Sequence, residues 1–312
     1  MSAYLQEVSC WIGQQQVFDK SSEAIGKLLH ISVSDKQVER LCHHYGQMLE
    51  EQQIQALEQG ETHRVDAKQQ TAMHYVMVDG AQFLFREQGW KEAKLGRVFP
   101  ACSLLEESPQ RNWIKESLYV AHYGGHRGFE EKMQYYMDEL SDVVIVADGA
   151  SWIWNWAEAM YPGQRQILDF YHAMEHLGHF ATDYFKKPPQ AKAWIEQQKT
   201  CLLSDQVEQV IKVIEGLPPS RTIPTEQARV ALIKYYQKNQ KRMMYGTFQE
   251  EGLLIGSGPI EAAHRHVLQQ RLKLSGQRWT VTGFQAVANL RATEKSQRWQ
   301  KVIDLVQQKI AA

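Results

Sequence analysis

The apolar run Val143-Val144-Ile145-Val146-Ala147, closed by Asp148-Gly149, restricts the architecture more than any other stretch of the chain. It is short and apolar on both faces, as expected of a strand buried inside a sheet that helices cover. An acid at the C-terminal end of such a strand stands where open α/β sheets place their ligands. Gly149 lets another group approach the backbone closely. Further strands are expected over Met73–Phe85, Trp90–Phe99, Leu118–Gly124 and Arg165–Phe170, all rich in β-branched and aromatic residues. Helices are expected between them over Phe129–Leu140 and Ala150–Met160, the second ending at Tyr161-Pro162-Gly163.

Both flanks of this α/β region are helical. Over residues 4–65, Ser21-Ser22 can cap a helix running to Leu29, and Ser34 can cap a second carrying Val38, Leu41, Tyr45 and Leu49. The break at His30–Val33 allows a helix-turn-helix, although any two short helices look alike and Lys36 and Arg40 are the basic residues on the second. From Ala173 to Glu250 the chain reads as helix punctuated by Pro188-Pro189, Pro218-Pro219 and Pro224, which fits an all-helical insertion. Glu261 opens a helix running to about Leu272, and Val281–Lys295 forms a terminal one. The expected layout is a helical N-terminal region (1–70), a first core segment (71–172), the insertion (173–250) and a final core segment (251–312).

At 312 residues the chain has room for roughly one to two domains. A hydrophobic fraction of 43% is enough for a packed core and excludes disorder. No run of about 18 apolar residues is present, so no membrane helix is expected. The opening residues carry neither a basic leader nor an apolar core, so no signal peptide is read. Cys10, Cys42, Cys102 and Cys201 are scattered, as buried thiols in a reducing cytoplasm would be. The formal net charge is −1, yet Glu261–Lys301 holds eight Lys/Arg against two acids. A basic segment of this kind suits phosphate contact, and equally a solvated helical face.

Three carboxylates carry the chemistry: Asp79 in Val76-Met77-Val78-Asp79-Gly80, Asp148, and Glu261 in Gly256-Ser257-Gly258-Pro259-Ile260-Glu261. Carboxylates gathered this way can hold two Mg²⁺ ions, which stabilise the attacking and leaving oxygens of a displacement at phosphorus. Each acid also has a bland explanation. Asp79-Gly80 between apolar residues is a good hairpin turn, and Glu261 beside Pro259 complements a helix dipole. Their joint occurrence on a strand–helix–strand framework favours an enzyme that cuts or joins nucleic acid. In Asp169-Phe170-Tyr171-His172, His172 and His176 lie one helical turn apart, with no evident third ligand for zinc; a structural role, or a hydrogen bond orienting a carboxylate, fits better. Among the tryptophans, Trp152 and Trp156 suit a core-facing stripe, and Trp90, Trp154 or Trp279 could stack on an unpaired base.

The motifs Asp79-Gly80 followed by Trp90-Lys91-Glu92-Ala93-Lys94, Asp148-Gly149-Ala150-Ser151-Trp152, Leu168-Asp169-Phe170-Tyr171-His172, Gly256–Ala262 and Arg271-Leu272-Lys273-Leu274-Ser275-Gly276-Gln277-Arg278-Trp279 stand in one order. In this the chain, from about residue 72 to residue 300, resembles bacterial insertion-sequence transposases of the ISKra type, with kinship to ISLre-type and Mutator-like transposases. The resemblance implies a DDE recombinase on a ribonuclease H-like core with a helical insertion. It implies Asp79, Asp148 and Glu261 as catalytic ligands of two Mg²⁺ or Mn²⁺ ions, and matches Asp169 and His172 to an Asp-x-x-His motif with His172 catalytic. Arg265, Arg271, Lys273 and Arg278 are expected on the DNA backbone. The expected partner is DNA, as transposon ends and target, bound by a homo-oligomer in the cytoplasm at the nucleoid. Family members usually carry a longer N-terminal part. Two other readings stand beside this one: a nuclease that cuts without joining, and a non-catalytic DNA-binding remnant.

Overall fold

The computed structural model describes residues 1–108, 111–220 and 222–311. Helices α1 (Ala3–Gly13), α2 (Phe18–Leu29), α3 (Asp35–Glu58) and α4 (Ala67–Thr71) lead into strands β1 (Met73–Phe85) and β2 (Gly89–Pro100). An antiparallel pair, β3 (Leu104–Ser108) and β4 (Arg111–Ile114), precedes β5 (Leu118–Tyr123), α5 (His126–Met137) and β6 (Asp142–Ala147). There follow α6 (Ser151–Met160), β7 (Arg165–Leu168), α7 (Phe170–Phe185), α8 (Pro188–Leu203), α9 (Val207–Glu215), α10 (Ile223–Asn239) and α11 (Tyr245–Glu250). The Glu261 helix begins as α12 (Gly258–Ala263), widens into a π-helix over His264–Gln269 and returns to α-helix in α13 (Gln270–Leu272). Helices α14 (Val281–Lys295) and α15 (Gln300–Ala311) end the chain.

The fold is mixed α/β, with strand order β5-β2-β1-β6-β7 and a separate β3–β4 ribbon. The chain divides into two compact units, residues 1–143 with 260–312 and residues 144–259, the boundary falling inside β6.

In the first unit β1 and β2 form a long antiparallel hairpin from His74↔Pro100 to Phe85↔Gly89, and β5 adds antiparallel to β2. Gly89 takes φ +70° at the turn, a left-handed conformation that glycine adopts without strain. Tyr75–Val78 are buried without interruption, so this part of β1 is covered on both faces. Helix α14 is the hub. It buries Phe284, Ala286, Val287, Ala288 and Leu290, and its Phe284 ring lies 4.9 Å from Phe83 and 5.1 Å from Phe85. Burial of one such phenyl ring contributes about 2 kcal/mol. Ser34 caps α3 as expected, its hydroxyl oxygen accepting from the Gln37 N–H at 3.2 Å. Ser21 and Ser22 do not cap α2. That helix starts earlier, at Phe18, and the two hydroxyls donate instead to the carbonyls of Val17 (3.0 Å) and Val33 (2.6 Å).

Two half-buried histidines of this unit, His63 and His122, are held neutral by burial, with nearby Arg298 and Lys132 adding to the effect. Each ring's pKa is pushed down to about 4. The folded protein therefore binds fewer protons than the unfolded chain between about pH 6.5 and pH 4, and stability must fall as pH drops through that window. At a screened value of about 1 kcal/mol per ring, acidification from pH 7 to pH 4.5 should lower the melting temperature by at least about 4 °C. Thermal unfolding of His122→Gln, compared across that range, should show a shallower decline than wild type.

In the second unit β6 and β7 pair in parallel, from Val144↔Arg165 to Ala147↔Leu168, and Val144–Ala147 are buried throughout, as the apolar run predicts. The expected strand over Arg165–Phe170 stops at Leu168. Asp169 caps α7, its Oδ1 accepting from the Tyr171 N–H at 2.9 Å, so Phe170 is already helical. Helix α9 buries Val207, Val210, Ile211 and Ile214, the spacing of one helical face. On α6 the buried tryptophans are Trp154 and Trp156, whereas the expected stripe paired Trp152 with Trp156. The Arg242 guanidinium covers Trp154 at 4.7 Å and also pairs with Glu158.

Candidate active site

Asp79 lies within β1 opposite Leu95, and the strand continues to Phe85. The Asp-Gly pair is therefore not the hairpin turn; that role falls to the residues before Gly89. The Asp79 side chain is about one-third exposed at 34%, which leaves its carboxylate reachable. Its Oδ1 accepts from the Gly80 N–H at 2.7 Å. A methyl group on Gly80 would stand 2.8 Å from Oε1 of Glu92 on β2, so glycine admits a second carboxylate beside Asp79. Glu92 pairs with Lys94 at 3.2 Å. The alternation of charges in Trp90–Lys94 disguises Glu92 as an ordinary surface residue, and sequence reasoning passed over it.

Glu261 is exposed in the first turn of α12, and its helix reaches Asp79 through His264. The buried His264 ring places Nε2 3.0 Å from the Asp79 carbonyl oxygen and 3.7 Å from Asp79 Oδ2. Burial lowers the His264 pKa, opposed by the charges of Asp79 and Glu92. A neutral ring can donate from Nε2 to the carbonyl. Since His264 is three residues beyond Glu261, one helical turn separates Glu261 from the residue touching Asp79. The backbone widens to π-helix at His264 itself, a local feature that recurs at functional sites.

In the second unit Asp148 follows β6 directly, half-buried, with Oδ1 accepting from the Ala150 N–H at 2.9 Å. The close approach that Gly149 permits is made by Tyr235: a methyl group there would stand 2.1 Å from its ring. Burial raises the Tyr235 pKa, and Asp148 and Asp169 raise it further. His176 lies 4.7 Å from the Tyr235 ring, and its Nε2 is 3.2 Å from Nε2 of His172. Burial and then His172 lower the His176 pKa, while Glu175 and Asp148 oppose them. His172 Nδ1 also stands 3.5 Å from Glu175. Asp169 is buried and serves the fold: besides capping α7, its Oδ2 accepts from the Ser257 hydroxyl at 2.5 Å.

Asp79, Asp148 and Glu261 supply oxygen donors alone, the set that Mg²⁺ takes, so they suit the ion in kind. Among the described residues no group of three or more His, Cys, Asp or Glu side chains is gathered to hold a metal.

The basic residues expected on DNA separate into two kinds. Arg265, Lys273 and Arg278 are exposed, and Lys273 Nζ lies 5.8 Å from the ring of the exposed Trp90. Arg271 is 1% exposed and does not belong to a surface track. Its guanidinium lies between Phe18 (4.7 Å) and Trp279 (5.3 Å), and Nε donates to the Gly13 carbonyl at 3.2 Å. Phe18 is distant in sequence, so nothing local to Arg271 announces that it is enclosed. Arg291 is likewise buried, donating to the carbonyls of Gln14, Val267 and His266. Of the tryptophans weighed for base stacking, Trp154 and Trp279 are buried and Trp90 is exposed.

No protein-family profile matches the chain, and no curated protein matches it. The resemblance to ISKra-type transposases therefore stands on the motifs alone. Among solved structures, the Drosophila P element transposase strand transfer complex is similar at 9% identity and a TM-score of 0.36, over 80% of this chain and 85% of that one. A likeness of that degree carries no argument about function. No helix among the described residues is long and apolar enough to cross a membrane.

Proposed function

We propose that the chain is the catalytic chain of a DDE-type transposase of the insertion-sequence kind, cutting DNA at the ends of a mobile element and joining the freed 3′-hydroxyl to target DNA. The reading rests on the ordered motifs around Asp79, Asp148 and Glu261 and on a ribonuclease H-like interpretation of the five-stranded sheet. The observation that carries it is the His264 contact, which holds the Glu261 helix against Asp79. In this reading Asp79, Asp148 and Glu261 are the ligands of two Mg²⁺ or Mn²⁺ ions, whose chemistry is to generate a nucleophilic water and stabilise the leaving oxygen. His264 holds Asp79, Glu92 adds negative charge beside it, and the second unit's His172 and His176 lie on the helix capped by Asp169. Arg265, Lys273 and Arg278 meet the DNA backbone, and DNA gathers the protein into a homo-oligomer.

The test is metal dependence. Purified protein should nick DNA flanking its coding region with Mg²⁺ or Mn²⁺. Ca²⁺, with longer and looser coordination, should support binding without turnover. Full cleavage in excess EDTA would rule the proposal out.

A further inference from the structure

The enclosed Arg271 has a second property that the reading above leaves unused. Neither Nη1 nor Nη2 has a hydrogen-bond partner, although the residue is 1% exposed. A buried guanidinium is costly unless it is paired, and two aromatic faces offset only part of that cost. Arg271 lines a pocket of about 380 Å³ in the first unit, with Arg86, Arg278, Thr280, His43 and Glu39 among the other walls. Arg86 and Arg278 are exposed, and Thr280 uses its hydroxyl oxygen to cap α14, accepting from the Gly283 N–H at 3.2 Å. His43 is a second unsatisfied wall, its Nε2 buried with no partner. The single acid, Glu39, is already bound to Lys36 at 2.8 Å. Three guanidinium groups and an imidazole thus line one pocket, with Glu39 as the acid among its walls.

We infer that this pocket binds a phosphate group, with the exposed Arg86 and Arg278 as its donors and the enclosed, unpaired Arg271 adding positive charge from the wall. Guanidinium groups suit this ligand because their planar donor pairs match phosphate oxygens and they stay charged. Burial lowers the Arg271 pKa to about 10, which keeps the group cationic at neutral pH. Burial also lowers the His43 pKa, with Glu39 opposing it and Arg271, Lys36 and Arg86 adding to the decrease, so the ring is a neutral partner near pH 7. The inference stands independently of whether Asp79 and Asp148 cut DNA, and it shares Arg278 with the proposed DNA contacts.

Calorimetric titration of the full chain with inorganic phosphate, at constant ionic strength in chloride, tests it. Wild type should bind one phosphate saturably, and Arg86→Ala/Arg278→Ala should weaken binding at least tenfold while melting like wild type. Absence of saturable binding by wild type, or binding unchanged in the Arg86/Arg278 double variant, would overturn the inference. Competition by a 5′-phosphorylated oligonucleotide and its 5′-hydroxyl counterpart then identifies the source. Displacement by the phosphorylated strand alone assigns a strand end, displacement by both a backbone phosphate, and displacement by neither free phosphate; each supports a phosphate pocket.

Discussion

Asp148→Asn should abolish DNA cleavage while leaving fold and DNA affinity close to wild type. The fold survives because the carboxylate's visible structural duty is to accept the Ala150 N–H at 2.9 Å, which an amide oxygen does equally well. What the amide lacks is charge. An asparagine cannot match a carboxylate as a ligand for a hard divalent cation. A loss of at least about a hundredfold in cleavage rate is expected, near 2.7 kcal/mol of barrier. The substitution also removes a negative charge that opposes the lowering of the His176 pKa, so that pKa should fall further in the variant, readable by NMR titration of the ring. Cleavage within about tenfold of wild type would show that Asp148 is not catalytic.

The second large effect is on the fold. Gly46→Ala should destabilise the protein by about 3 kcal/mol, although alanine is the better helix former by about 1 kcal/mol. Gly46 is where α3 meets α14, and a methyl group there would stand 2.2 Å from the Ala286 carbonyl oxygen and 2.5 Å from its carbon. These are backbone atoms in the hub helix and cannot rotate away. The same contact hosts a hydrogen bond from Asn289 Nδ2 to the Gly46 carbonyl at 3.0 Å, so separating the helices would cost polar pairing as well. Gly178→Ala is the control, since a methyl group on that α7 glycine meets nothing within 4 Å. Thermal unfolding should show Gly46→Ala melting about 6–12 °C lower and Gly178→Ala melting no lower than wild type. A Gly46→Ala protein as stable as wild type would mean that α3 and α14 do not approach this closely.

The strands were legible because they are written in β-branched and aromatic runs, and the Val143–Ala147 run needed no long-range information to declare itself buried. Ser34 was legible for the same local reason, whereas Ser21 and Ser22 misled because Phe18 starts the helix from a residue with no capping side chain. Asp79-Gly80 has the chemistry of a turn, and only the pairing of β1 with β2 carries the chain straight through it. The β3–β4 ribbon and α15 went unread. Of the candidate site, the three carboxylates and His172 were visible as motifs. The π-helix at His264, its contact with Asp79 and the proximity of Glu92 depend on partners that no local pattern encodes. Charge counting over Glu261–Lys301 failed at Arg271 and Arg291 because a count cannot tell a solvated guanidinium from one enclosed by distant residues.

Joining tests the proposed transposase most directly, since it separates transposition from simple cutting. Purified protein with Mg²⁺ should be given a duplex from the DNA flanking its coding region, already cut to expose a 3′-hydroxyl, and a supercoiled target plasmid. The account predicts covalently joined products whose formation disappears in Asp79→Asn, Asp148→Asn and Glu261→Gln. Folded protein that cuts but never joins, or joined products that persist in those variants, would contradict it.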